Sequence, residues 1–278
     1  MPLSTDTTRA AAVSEATQTI ASTLFPGVST AFIRQAFDDV ERLFSGDWSD
    51  YRANDLKYHD FQHTLQVTMA YVDLVAAHQK AGQPPLPPRR FELGLVSALL
   101  HDSGYLKLRS DHEGSGAKYT YCHVLRSCAL AASYLPALGL TLAEIEIVLG
   151  AIRRTDPDGL ILPKHNEEDA LLACAVASAD YLAQMADPAY PTKLPLLFDE
   201  FTEADNFLRV PPARRVFPSA AALIASTPAF WETVVKPKLD RDFLGLYRFL
   251  TTPDGVNPYL DAIEHNLLGI ARDLPSAS

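Results

Sequence analysis

The spacing of the apolar residues constrains this sequence most, because they recur every three to four positions along almost the whole chain. That spacing gathers apolar side chains on one face of an α-helix, and the alternation typical of half-buried strands is nearly absent. We therefore predict an all-α fold. The expected helices span about 6–24, 29–45, 59–81, 89–103, 116–137, 141–154, 167–187, 192–207, 218–226, 228–250 and 256–272.

Nothing in the sequence divides the chain into parts. No internal repeat, low-complexity tract or shift in composition occurs along its 278 residues. A chain of this length can bury a large core as one domain. We predict a single all-α domain over residues 1–278.

The charge of the chain limits its partners. It carries 24 Lys+Arg against 34 Asp+Glu, a formal net charge of −10. Such a chain repels a nucleic-acid polymer overall, whereas a bound metal ion can reverse the field locally for a small phosphorylated substrate.

No apolar run reaches the roughly 18 residues that a membrane span needs, and the N-terminus does not read as a signal peptide. A cytoplasmic location without membrane contact is expected, and homo-oligomerisation stays open.

Three segments place polar side chains in apolar surroundings, and the first contains two histidines. His59 and His63 are four residues apart, so on a helix both would project from one face. Two such imidazoles could both bind a metal, or one could bind while the other transfers protons. The alternative is a pair of partly exposed helix histidines.

The other two segments end in acidic groups. An apolar helix after Phe91 leads directly into His101 and Asp102, and Asp180 ends a run of ten residues without a charge. Desolvating a carboxylate costs several kcal/mol unless a cation or hydrogen-bond donors compensate it. The alternatives are a histidine stabilised by a helix C-terminus and an aspartate that caps another helix. Imidazole and carboxylate together suit one or two divalent ions such as Mn, Fe, Mg or Zn.

The ordered set Tyr58-His59, His63, His101-Asp102 and Asp180 resembles the HD-domain metal-dependent phosphohydrolases. The first element is especially similar to that of the cyclic-nucleotide phosphodiesterases. The resemblance covers roughly residues 55–190. It implies a single HD-domain helical bundle, with additional C-terminal helices over 191–278 that pack on it.

The resemblance also implies roles for individual residues. His59 would be the catalytic proton donor. Asp102 would bridge two ions if two bind. The implied metal ligands are His63, His101, Asp102 and Asp180.

Two departures from the phosphodiesterase pattern weaken a specificity for cyclic nucleotides. Asp60 stands where those enzymes carry Asn, and Tyr105 stands where they carry a second histidine after His-Asp. In other HD proteins further histidines hold a second ion, and His123 is the best candidate here. A complete second set would need His112 or His165 as well.

One further segment has a resemblance of its own. Gly114 to Thr120, followed by His123 and Arg126, is similar to a subgroup of bacterial HD proteins without a settled function. Arg126 lies three residues after His123, where a guanidinium could hold a phosphate, and Lys118 could do the same. The alternative for both cations is a solvated basic pair.

The expected function is that of a metal-dependent phosphohydrolase or phosphodiesterase. Its substrate would be a nucleotide or another small phosphate ester, attacked by a metal-activated water. Two alternatives stay open: a diiron HD-domain oxygenase, and a non-catalytic module that binds a nucleotide.

Overall fold

The computed structural model describes residues 5–48, 50–157 and 166–273, and these residues form ten α-helices and no β-strand. The prediction of an all-α fold is confirmed, and the helices form a bundle. The helices are α1 (Ala10–Leu24), α2 (Ala31–Ser45), α3 (Phe61–Lys80), α4 (Pro88–Leu100), α5 (His123–Tyr134), α6 (Leu142–Arg154), α7 (Glu167–Ala186), α8 (Tyr190–Phe207), α9 (Ala220–Phe230) and α10 (Pro258–Asp273).

Helix α7 lies at the centre of the bundle, where it packs against α3, α4, α6 and α10. All six residues from Cys174 to Ala179 are buried. A helix that is apolar on every side belongs inside a protein, and its alanines let the neighbouring helices approach closely. Asp180 follows this run directly, so its carboxylate emerges among the packed helices.

Helix boundaries follow local signals in the sequence. Thr141 and Glu144 form the capping box that their spacing predicts, and α6 starts there. Helix α4 begins at Pro88, a residue suited to the first turn because its missing N–H has no acceptor there.

Two of the predicted helices are broken in the structure. The one expected over 116–137 consists of a 3₁₀ turn at Gly116–Tyr119, then α5, then a second 3₁₀ turn at Leu135–Leu138. The one expected over 228–250 is replaced by the end of α9, two π-helical turns and a 3₁₀ turn. Pro228 and Pro237 lie in that stretch, and a proline removes a backbone hydrogen bond and displaces the preceding turn.

The C-terminal helices contribute to the same apolar core as the earlier ones. One cluster of buried apolar residues extends from Ala10 on α1 to Ile270 on α10. At one polar contact of this packing, the Tyr259 hydroxyl donates to Oδ2 of Asp73 on α3 at 2.8 Å. Burial raises the pKa of Asp73 to about 6.

Among the described residues, no helix combines the length and the hydrophobicity that crossing a bilayer requires.

Candidate metal centre

The start of α3 differs from the prediction and changes the position of His59. Helix α3 begins at Phe61, because the Asp60 side chain accepts the backbone N–H of His63 at 2.8 Å and caps the helix. His59 therefore precedes the helix, and the prediction that His59 and His63 project from one helix face is wrong. The two rings still lie near each other, with centroids 6.1 Å apart.

The end of α4 supplies the second histidine. His101 is 1% exposed and follows the last residue of the helix. Its Nδ1 donates to the carbonyl oxygen of Ala98 at 2.8 Å, so Nε2 carries the free lone pair when the ring is neutral. Metal-binding histidines usually have such a second hydrogen bond, because it fixes the tautomer and the orientation of the ring.

Three side chains from three different helices converge at one point. His63, His101 and Asp180 each offer one ligand atom, and these atoms lie within 4.8 Å of one another. Oδ1 of Asp180 is 3.3 Å from Nε2 of His63 and 3.7 Å from Nε2 of His101. Ligand atoms that share one ion at its usual bond length lie about 3 to 3.5 Å apart in tetrahedral or octahedral geometry. This group can therefore hold a metal ion.

Asp102 lies beside this group. Its Oδ2 is 3.5 Å from Nε2 of His63 and 3.3 Å from Nε2 of His101. Both Oδ2 of Asp102 and Nε2 of His101 are buried, and neither makes a hydrogen bond with the described residues. Buried polar atoms are normally hydrogen-bonded, so two such atoms facing each other fit a site built for a cation. Ligation by Asp102 stays a prediction.

The charges of these groups depend on one another. Burial lowers the pKa of His101, but the carboxylates of Asp102 and Asp180 outweigh it and raise the pKa well above its ordinary value. Burial raises the pKa values of Asp102 and Asp180, yet the neighbouring imidazoles bring both well below the ordinary carboxyl range. The carboxylates therefore stay ionised and draw positive charge to this point, which is what a metal ion would supply.

His123 lies on the other side of Asp102. Its Nδ1 donates to the carbonyl oxygen of Thr120 at 2.7 Å, and its Nε2 is 3.6 Å from Oδ1 of Asp102. Burial lowers the pKa of His123, which favours the neutral form that a metal ligand needs. A role of His123 as the ligand of a second ion stays a prediction. His112 lies next to Arg52 instead, with 2.6 Å between Nδ1 and the guanidinium, and His165 lies outside the described residues.

The structure also reveals a residue that the sequence did not indicate. Glu200 on α8 is 6% exposed, and its Oε2 lies 2.6 Å from Nδ1 of His59. Its Oε1 accepts the backbone N–H of Tyr58 at 2.9 Å. Burial lowers the pKa of His59, but the contact with Glu200 outweighs it and raises the pKa above its ordinary value. Glu200 is one of several acidic residues in the amphipathic sequence of α8, so no local sequence signal distinguishes it from the others.

Gln184 lies one turn beyond Asp180 on α7 and contacts the segment that carries His59. Its Oε1 accepts a hydrogen bond from the hydroxyl of Tyr58 at 2.7 Å. Tyr58 is thus held through its backbone by α8 and through its hydroxyl by α7. These two contacts fix the segment that carries His59.

The two cations predicted to bind phosphate have protein partners. Lys118 is 5% exposed, and its Nζ donates to Oδ1 of Asp111 at 2.5 Å. The guanidinium of Arg126 donates to the carbonyl oxygens of Gly104 and Leu106, at 2.7 and 2.8 Å. Neither is a solvated basic residue. Their contacts are structural, and a role in substrate binding stays a prediction.

Comparison with known proteins adds no relative. Neither a scan against protein-family models nor a search of curated proteins finds a match for this chain. The fold and the site alone define the class: an all-α protein with a buried His–His–Asp group that can hold a metal ion.

Proposed function

We propose that this protein is a metal-dependent phosphohydrolase of the HD-domain type. The observation that carries the proposal is the convergence of His63, His101 and Asp180 from three helices, with a separate His59–Glu200 pair beside them. A group of ligands and a distinct proton donor are the two parts that metal-assisted hydrolysis of an ester needs. The order of these residues in the sequence agrees with the resemblance to HD phosphohydrolases.

The ligand group would hold the ion that the reaction requires. A divalent ion bound there supplies Lewis-acid activation of water and neutralises charge on the phosphoryl oxygens. His63, His101 and Asp180 supply its protein ligands. Asp102 lies beside this group and beside His123, and both would be further ligands if two ions bind. Mn, Fe, Mg and Zn all suit this set of imidazole and carboxylate ligands.

His59 acts as the general acid in this proposal. Glu200 accepts the hydrogen bond from Nδ1, so Nε2 is the ring nitrogen that can reach a substrate. The raised pKa of His59 favours the protonated ring, which is the form that a group donating a proton to a leaving oxygen needs. The hydrogen bond also fixes the ring, which a positioned proton transfer requires.

The substrate class follows from charge. The chain carries a net charge of −10, and Lys118 and Arg126 are bound to protein acceptors. Attraction for a phosphate would then come chiefly from the bound ion, which acts over a short range. A nucleotide or another small phosphate ester fits such a site better than a nucleic-acid polymer does.

The two alternative functions would give different results in the same assays. A diiron oxygenase would purify with iron and consume O₂ with its substrate, and a non-catalytic module would bind a nucleotide without turnover. His123 lies beside Asp102, His112 contacts Arg52 instead, and His165 lies outside the described residues. The phosphohydrolase gives a role both to the ligand group and to the His59–Glu200 pair, and this pair favours it over the two alternatives.

The experiment is a turnover screen with the protein loaded with Mn²⁺, Fe²⁺, Mg²⁺ or Zn²⁺. The substrates are p-nitrophenyl phosphate, bis-p-nitrophenyl phosphate, cyclic nucleotides, and nucleoside mono-, di- and triphosphates. We expect phosphate-ester hydrolysis that disappears on chelation and in the variant His63→Ala. His59→Asn should keep the metal and lower kcat. Hydrolysis that persists in a metal-free His63→Ala protein would refute the proposal.

A further inference from the structure

Tyr105 occupies a place in this site that the proposed mechanism has not used. It is 3% exposed and ends the 3₁₀ turn Ser103–Tyr105, which directly follows Asp102. Its ring stacks on the imidazole of His59 at 4.5 Å with 18° between the planes. It also stacks on the imidazole of His123 at 4.5 Å with 13° between the planes.

The Tyr105 ring contacts both imidazoles, and the three rings form one packed cluster. The centroids of His59 and His123 are 6.2 Å apart, and each of them lies 4.5 Å from the centroid of the tyrosine ring. The phenol ring thus packs against both imidazoles in the offset-stacked arrangement that aromatic rings prefer.

The backbone that carries Tyr105 is held from α5. The guanidinium of Arg126 donates to the carbonyl oxygens of both residues that flank Tyr105. The hydroxyl of Ser127 donates to the carbonyl oxygen of His101 at 2.5 Å and accepts the N–H of Gly104 at 2.8 Å. Because α5 begins at His123, the tyrosine and this histidine belong to one hydrogen-bonded unit.

Close packing fixes the same unit further. A Cβ at Gly104 would overlap the backbone carbonyl of His123, and a Cβ at Gly116 would overlap the carbonyl oxygen of Tyr105. The turn and α5 are therefore in direct backbone contact, which leaves the Tyr105 ring little freedom to move relative to His123.

We propose that Tyr105 is a positioning residue, whose ring fixes the distance and angle between the proton donor His59 and the ligand His123. This proposal rests on the proposed function, because it takes His59 as the general acid. The position is the one at which the phosphodiesterase pattern would have a further histidine. This chain has there a ring that contacts two imidazoles.

The kinetic test compares Tyr105→Phe with Tyr105→Leu in the metal-loaded protein. Phe keeps the ring, so kcat should stay within about twofold of the wild type. Leu removes the ring, and misplacement of a catalytic group on the ångström scale costs on the order of 10- to 100-fold in kcat. KM should change little, because neither cation near the site depends on the tyrosine side chain. Should Tyr105→Leu fail to fold, Tyr105→Met serves as the ring-free variant, since methionine fills irregular space readily.

A second readout needs no activity. It uses NMR of the histidine rings in metal-free protein labelled at histidine. The ring current of Tyr105 shifts the signals of His59 and His123, and the variants His59→Asn and His123→Asn identify which signals these are. We expect both signals to keep their positions in Tyr105→Phe and to move in the ring-free variant, while those of His63 and His101 stay. This result would show that the Tyr105 ring packs against both histidines even if the wild type hydrolysed no phosphate ester, which would refute the proposed function alone.

Two outcomes would overturn the inference. A loss of tenfold or more in kcat in Tyr105→Phe would assign the effect to the hydroxyl group rather than to the ring. Unchanged kcat in a folded ring-free variant, or His59 and His123 signals that do not move in that variant, would show that the ring does not position the two histidines.

Discussion

Replacing Glu200 by Gln tests whether the His59–Glu200 pair supports catalysis. The carboxylate accepts two hydrogen bonds, one from Nδ1 of His59 at 2.6 Å and one from the N–H of Tyr58 at 2.9 Å. A glutamine has the same shape but only one accepting oxygen, and its NH₂ group cannot accept. One of the two donors must therefore face the NH₂ group in a buried place, unless His59 gives up the proton on Nδ1 and accepts from that group instead.

The magnitude follows from that lost acceptor. A buried donor left without a partner costs about 1 to 3 kcal/mol. If the cost falls on the oriented, protonated ring of His59, kcat should drop by about 5- to 150-fold, at about 1.4 kcal/mol per tenfold. Loss of the negative charge also removes the largest contribution that raises the pKa of His59, although Asp102 and Asp180 still raise it, so the protonated ring becomes less favoured.

The assay is steady-state hydrolysis of the best substrate from the screen, with metal content measured on the same samples. Glu203→Gln is the matched control, because this carboxylate lies on the same helix and accepts the N–H and the hydroxyl of Ser115, at 2.5 and 2.6 Å. We expect Glu203→Gln to lower stability without lowering kcat, and Glu200→Gln to lower kcat with the metal retained.

The reasoning fails if Glu200→Gln keeps full kcat while the control behaves as expected. His59 would then not need its carboxylate partner. It fails equally if both variants lower kcat to the same extent, since the effect would then come from α8 as a whole.

Three further predictions concern stability, measured by urea unfolding at 25 °C. Asp60→Ala should lose about 0.5 to 2 kcal/mol because the cap of α3 disappears, whereas Asp60→Asn keeps an acceptor and should lose little. Asp73→Asn should gain about 1 to 3 kcal/mol at pH 7.5 and nothing at pH 4. The pKa of Asp73 is raised to about 6 in the folded protein, whereas the same carboxyl in the unfolded chain releases its proton near pH 4. The wild-type protein therefore loses stability as the pH rises from about 4 to about 6, and the asparagine variant does not. Gly104→Ala should lose on the order of 1 to 3 kcal/mol or more through overlap with α5, whereas Gly150→Ala, with open space around it on α6, should gain about 0.5 to 1 kcal/mol.

Each of these has a contrary result. Equal losses in Asp60→Ala and Asp60→Asn would refute the cap. A gain in Asp73→Asn that is the same at both pH values would show that proton binding is not its cause. Equal stability of the two glycine variants would show that α5 can move away from the turn.

The sequence predicts the helical class well because helical periodicity is a property of consecutive residues. Helix α7 is an example: it contains a long run of uncharged, mostly apolar residues, and Asp180 stands out because it directly follows that run. Periodicity predicts less where a local bond competes with it. The cap formed by Asp60 moves His59 out of α3, and prolines divide the segment 228–250. These effects depend on single side chains that a periodic pattern does not reveal.

The candidate site divides in the same way. His63, His101 and Asp180 are recognisable because ligand chemistry stands out in apolar surroundings. Glu200 is not, because it meets His59 only after α8 packs onto the bundle, 141 residues along the chain. Arg126 shows the reverse case: a cation that suggests phosphate binding in the sequence is used by two backbone carbonyls in the fold.

The central claim is that His63, His101 and Asp180 hold a divalent metal ion, and metal analysis of the purified protein tests it most directly. The protein is loaded with Mn²⁺, Fe²⁺, Mg²⁺ or Zn²⁺, desalted and analysed by mass spectrometry, beside Asp180→Asn. The control is Asp187→Asn, at the end of the same helix, where the carboxylate contacts Lys193 at 2.9 Å instead. We predict at least one retained ion per chain in the wild type and the control, and a loss of that ion in Asp180→Asn. No retained ion in the wild type, or equal retention in all three proteins, would contradict the account.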